Sequence, residues 1–103
     1  MKSKRKLITL QEVLTKELKD PELRFYFEQR QAVTRIARLV RDVRQHASLT
    51  QAELAKKAGT TQTVISRLES GSDSRIPSME LLYRIANALK AKLVVLFEYK
   101  KAA

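Results

Sequence analysis

The 103-residue chain has room for one compact domain, and 21 Lys and Arg against 11 Asp and Glu give it a formal net charge of +10. It has no cysteine and a single histidine, His46, so disulfides and thiolate metal sites are excluded and no zinc set can be assembled. The charge points to polyanionic partners, and no run approaches the ~20 apolar residues of a membrane span. Helix formers dominate while glycine and proline occur twice each, so the expected class is all-α with short connections.

Residues 1–8 read as a basic, disordered end, and the apolar run near Leu7 and Ile8 is too short for a signal peptide. The chain is therefore expected to be soluble and cytoplasmic. Thr9 and Glu12 match a capping box, with Val13, Leu14 and Leu18 as the stripe of a short helix behind it. Asp20-Pro21-Glu22 is a stronger start: Asp20 can cap, Pro21 suits the first helical position, and Glu22 favours the positive helix end. From residue 21 to about 47 nothing breaks the helix. Ala32/Val33, Ile36/Ala37, Val40, Val43 and Ala47 recur every three or four residues, with Arg35, Arg38, Arg41 and Arg44 mainly off that stripe. The pattern leaves open whether one helix runs through residues 28–31 or two meet there.

Thr50 and Glu53 form a second capping box, opening a helix through Lys57 that Gly59 ends in a left-handed conformation. Thr60 or Thr61 caps the next helix, which carries Val64, Ile65 and Leu68 and stops at Ser70-Gly71. After a loop over residues 72–77, Ser78 caps a helix with Leu81/Leu82, Ile85 and Ala88/Leu89 as its stripe. Residues 92–100, rich in β-branched and aromatic side chains, read as a strand. Its edge would need a partner, most simply the same strand of a second subunit.

Two short helices joined by a tight turn pack only if particular positions are small or apolar. Leu54 and Ala58 face the core, Ala55 is small where the second helix crosses, Gly59 turns the chain, and Ile65 and Leu68 anchor the second helix. The alternative is a helical hairpin inside an unrelated bundle. The outer residues Thr61, Gln62, Thr63, Ser66 and Arg67 speak against it, because a merely solvated face usually carries Lys and Glu.

The segments Leu49-Thr50-Gln51-Ala52-Glu53-Leu54-Ala55, Gly59-Thr60-Thr61-Gln62 and Ile65-Ser66-Arg67-Leu68-Glu69-Ser70-Gly71 resemble the Cro/C1-type (XRE) domain of lambdoid phage repressors. The likeness covers about residues 33–90. It implies a lambda-repressor-like bundle of four or five helices that binds operator DNA as a two-fold homodimer, with residues 61–69 as the reading helix in the major groove. Gln62 would then suit adenine N6/N7, Arg67 guanine O6/N7, and Thr61 and Thr63 a thymine methyl or a phosphate, with Ser66 beside them. Gln51 is placed to bind a phosphate with the helix N-terminus, and Arg75 is a second backbone contact. The resemblance also implies an internal salt bridge between Arg44 and Glu69, so both are assigned to the fold. His46 reads as a surface residue at a helix end.

Residues 1–30 lie outside such a domain (31–91) and contain Leu10, Leu14, Leu18, Leu23, Phe25, Tyr26 and Phe27. This arm either packs on its own domain or dimer mate, or presents a surface to another protein. With the segment at 92–103 as a dimerisation element, the organisation is similar to HigA-type antitoxins of toxin-antitoxin modules. That likeness implies a RelE/HigB-type ribonuclease toxin as partner and autoregulation of a shared operon. The alternative is a phage-type or restriction-modification controller repressor without a protein client. An enzyme has no support: there is no Gly-rich phosphate loop, no nucleophile with a base, and no cofactor or metal set. Membrane binding through the basic arm is weaker still, for want of a sustained amphipathic pattern.

Overall fold

A computed structural model describes residues 9, 10, 12, 19–73 and 75–100. Among them lie four α-helices: α1 (Pro21–His46), α2 (Gln51–Ala58), α3 (Gln62–Ser70) and α4 (Met79–Ala88). The hydroxyl of Thr9 accepts from the Glu12 amide at 3.1 Å, half of the capping box read there. The rest of that first short helix, with Val13, Leu14 and Leu18, and the basic end at 1–8 lie outside the described residues.

α1 is one continuous helix of 26 residues, which settles the question left open at residues 28–31. Its length is about 39 Å. Asp20 caps it through an Oδ1 that accepts from the Glu22 amide at 2.9 Å, with Pro21 in the first turn as expected. α2 opens on a complete capping box: Thr50 Oγ1 accepts from Glu53 N at 3.0 Å, and Glu53 Oε1 accepts from Thr50 N at 2.9 Å. Of the two threonines before α3 it is Thr61 that caps, its hydroxyl accepting from Val64 N at 3.2 Å. Ser78 does the same for Leu81 N at 3.1 Å.

Each helix is followed by a left-handed residue. Two are the glycines read from the sequence, Gly59 (φ +69°) and Gly71 (φ +68°), but Ser48 (φ +59°) and Lys90 (φ +57°) end α1 and α4. Around Ser48 the carbonyls of Arg44 and Gln45 accept from Leu49 N at 3.2 Å and Ser48 N at 2.9 Å. Around Lys90 those of Ala86 and Asn87 accept from Ala91 N at 2.8 Å and Lys90 N at 3.1 Å. Both are the two-bond closure that a glycine usually makes. The composition hid these stops because the residues carry a Cβ.

The core gathers one stripe from each helix: Val40 of α1, Leu54, Ala55 and Ala58 of α2, Ile65 and Leu68 of α3, and Ile85 of α4. Leu54 and Ile65 are fully buried, which is the α2–α3 packing that the spacing required. Ala55 is buried where α3 crosses, and Arg84 of α4 donates to the Gly59 carbonyl at 3.2 Å, fastening the turn between the two helices.

The C-terminal segment corrects the sequence reading. Residues 91–100 form no strand, and the described residues contain no sheet. A strand is held by the ladder of a neighbour, and these residues find no such neighbour among the described residues. Val94, Val95, Leu96, Phe97 and Tyr99 are instead exposed. Among the described residues no helix is long and apolar enough to cross a membrane.

Because Ser48 carries a Cβ in a left-handed position, Ser48→Gly is expected to raise stability by up to about 1 kcal/mol. Gly59→Ala, at a comparable φ, should lower it by about 1–2 kcal/mol. Urea unfolding of the two variants beside the parent checks both signs.

Candidate nucleic-acid interface

One polar junction sets the pose of α3. Arg44 of α1 reaches Glu69 of α3 with two bonds, Nε to Oε2 at 2.6 Å and a terminal nitrogen to Oε1 at 2.9 Å. Its other terminal nitrogen donates to the Leu49 carbonyl at 2.7 Å. Gln51, at the start of α2, donates its amide to Glu69 Oε1 at 3.2 Å. Three helices thus meet on one carboxylate, whose side chain is only 3% exposed. Burial opposes ionisation of Glu69, but the bonds from Arg44 and Gln51 and the charges of Arg44 and Arg41 outweigh it and hold its pKa below the ordinary 4.5. The bond from Glu69 raises the Arg44 pKa in turn. The salt bridge implied by the resemblance is present.

With its inner face committed to Ile65, Leu68 and Glu69, α3 turns Gln62, Thr63, Ser66 and Arg67 outward, all exposed, with Thr61 exposed at its cap. Thr61 spends one lone pair on capping, which leaves its methyl and its O–H outward. The face therefore offers an amide, hydroxyls, methyls and a guanidinium over two turns. These are the groups that hydrogen-bond base edges or touch a thymine methyl.

Val64 departs from the sequence reading. Counted with the inner face, it is 36% exposed, and it borders a cleft of about 390 Å³ with Arg67, Arg75 and Ile76. Its place at the end of the apolar arc lets it lie half outside the core, which spacing by threes and fours does not resolve.

The flanks are set as follows. Gln51 is half-buried, with one amide hydrogen on Glu69 and a second still to give. Arg75 is exposed and forks onto Asp73, with both contacts at 3.3 Å. That pairing holds the Asp73 pKa below the usual carboxylate range. His46, in the last turn of α1, is exposed. Sequence reasoning missed Arg30, whose guanidinium donates to the carbonyls of Gly71 at 3.2 Å and Asp73 at 3.4 Å and so ties α1 to the loop behind α3. It also missed Ser70, whose hydroxyl donates to the Arg67 carbonyl at 2.9 Å and accepts from the Ser72 amide at 3.2 Å. No local pattern marks Arg30, whose contacts depend on where the loop returns, whereas those of Ser70 span only two and three residues. Among the described residues no group of three acidic or histidine side chains could hold a metal ion.

The sequence model of one family, described as helix-turn-helix, matches residues 40–96. The chain belongs to the helix-turn-helix family. An uncharacterized HTH-type transcriptional regulator of Methanothermobacter thermautotrophicus is 47% identical over 51 residues, half of this chain and 71% of that protein. Another, from Archaeoglobus fulgidus, is 40% identical over 58 residues, 56% of this chain and 80% of its own length. No solved structure matches the chain. The helix-turn-helix match begins inside α1 and takes in α2, α3 and α4, leaving the first nineteen residues of α1, up to Leu39, outside it.

Because its folded pKa is depressed, Glu69 stabilises the protein above its unfolded value near 4.5, and that contribution is lost as pH falls through the lower folded value. Glu69→Gln leaves Arg44 buried without its countercharge and should cost roughly 3 kcal/mol. Thermal melts between pH 3 and 7 should show the parent losing stability on the acid side, and the variant losing less over the same window.

Proposed function

We propose that this helix-turn-helix chain is a sequence-specific, DNA-binding transcriptional repressor, cytoplasmic and non-enzymatic, that reads operator DNA with α3. The observation that carries this is the outward set Thr61, Gln62, Thr63, Ser66 and Arg67 on a helix whose opposite face is locked by Ile65, Leu68 and the Arg44–Glu69 bond. Gln62 pairs with adenine and Arg67 with guanine, while the threonines meet thymine methyls or phosphate. Gln51, steadied by Glu69, gives its second amide hydrogen to a phosphate, and Arg75 exchanges Asp73 for another. Residues 31–91 act as the DNA-binding domain.

The repressor acts as a two-fold homodimer. An apolar groove of about 290 Å³, lined by Leu39 and Val43 of α1, Leu82 and Ala86 of α4, and Leu93 and Val94, supports this, as does the exposed apolar segment after it. Half-sites would then lie about one helical turn, roughly 34 Å, apart.

A second role as the antitoxin of a HigBA-like module, neutralising a RelE/HigB-type ribonuclease, is favoured by Leu23, Phe25 and Tyr26. These are exposed on the part of α1 that lies outside the family match, where a protein partner would bury them. Without such a partner the chain is a phage-type or restriction-modification controller repressor. Changing all three to serine should abolish co-purification of a small ribonuclease encoded beside the gene and leave DNA binding intact. Absence of any such ribonuclease in pull-downs of the parent removes the antitoxin role.

Gln62→Ala and Arg67→Ala should each weaken binding to a selected duplex by about 1–3 kcal/mol and broaden sequence preference. Gln51→Ala should weaken all duplexes alike. Fluorescence anisotropy on selected and mixed-sequence DNA checks both. Equal losses on the two DNAs for Gln62 and Arg67 would contradict base reading.

A further inference from the structure

α1 carries more positive charge than its packing uses. Arg30 and Arg44 are spent on the loop behind α3 and on Glu69. Between them Arg35, Arg38 and Arg41 are exposed, and none of the three has an acceptor among the described residues. Like charges three residues apart on a helix repel one another. Asp42, four residues after Arg38, makes no ion pair among the described residues that would relieve them.

Their placement is unequal. Ala37 faces the end of α3, since a Cβ built on Gly71 would lie 3.8 Å from the Ala37 Cβ. At 3.6 residues per turn, Arg41 stands about 40° and Arg38 about 100° round the helix from Ala37 to one side, whereas Arg35 stands about 160° away. The Arg41 side is the one beside Glu69, whose carboxylate feels the Arg41 charge directly. That carboxylate also holds Gln51. Arg41 lies one turn before Arg44, which holds Glu69, so the flank bearing Arg41 and Arg38 runs back along α1 from the Gln51–Glu69 junction.

We propose that Arg38 and Arg41 form a phosphate-binding track on α1, which carries the DNA contact past the end of the reading helix onto the neighbouring backbone strand. The track rests on the DNA-reading role proposed above and adds to it a contact blind to sequence. Two guanidinium groups a single turn apart on a rigid helix, without an acceptor among the described residues, suit phosphate oxygens as paired, pre-positioned donors. Such contacts fix affinity and register, and each releases bound counterions. Arg35, far round the helix, stays off the track.

The test is the salt dependence of binding by full-length parent, Arg38→Gln/Arg41→Gln and Arg35→Gln proteins. The probes are a mixed-sequence duplex and a duplex enriched by selection with the parent, each titrated between 50 and 200 mM salt. The double variant should lose about two units of the log–log salt slope on both duplexes and keep the parent's preference between them. The parent's affinity should therefore fall about tenfold further over that salt range than the variant's. Arg35→Gln should behave as the parent, and matching thermal melts should show all three folded. An unchanged slope in the double variant overturns the track, as does an equal loss in Arg35→Gln, which would mark a diffuse charge effect. Loss of slope without any sequence preference in the parent would leave the track standing and overturn base reading. A parent that binds neither duplex overturns both.

Discussion

The carboxylate of Glu69 is the point on which the rest of the fold depends. Moving a carboxylate and a guanidinium out of water is costly, and their mutual attraction offsets that cost only when geometry and hydrogen bonding are good. Here the pair is bidentate, the third Arg44 nitrogen is taken by the Leu49 carbonyl, and Gln51 supplies a further donor to Glu69. Among the described residues no buried side-chain nitrogen or oxygen is left without a partner. The junction fixes a direction as well as an energy. It joins the end of α1, the start of α2 and the end of α3, so the angle at which α3 is offered outward cannot drift independently of its two neighbours.

Around that junction the two faces of α3 have opposite tasks. Ile65 and Leu68 bury their side chains against Leu54, Ala55 and Val40, where close packing leaves little freedom. The outer face has the reverse property, with donors and methyls exposed to solvent. Thr61 belongs to both, since its hydroxyl caps the helix while its remaining groups face out. Rigid backing and an open polar surface are what allow side chains to meet base edges in a fixed register.

α1 connects the compact part of the molecule to its outlying surfaces. Its later turns carry Val40 and Arg44 into the core and the junction, and its middle carries the arginine flank. Its first turns carry Leu23, Phe25 and Tyr26 into solvent. An uninterrupted helix transmits position along its whole length, so an object bound at the aromatic end and DNA bound at the other would be held at a fixed separation. The Lys100 ammonium meets Glu28 at 2.8 Å, which brings the exposed C-terminal segment back to the same helix.

The local signals were written plainly in the sequence because they act within one turn of chain. The caps at Asp20, Thr50, Thr61 and Ser78, the glycine stops and the apolar spacing within α2 and α3 all follow from neighbours two to four residues apart. With them came the boundaries of α3 and its outward residues. The strand expected at 92–100 failed because β propensity has no effect without a paired edge, and whether an edge is near is a tertiary matter. Ser48 and Lys90 as helix ends, Val64 half out of the core, and the continuity of α1 were equally decided by packing. So were the anchoring of the α3–α4 loop by Arg30 and the sharing of one carboxylate by Arg44 and Gln51, across 25 and 18 residues of sequence. By itself the sequence determined which residues form these helices and that α3 turns a polar face outward. Tertiary structure alone decided how that surface is braced and which arginines of α1 are taken up by the bracing, because those contacts join residues that only folding brings together.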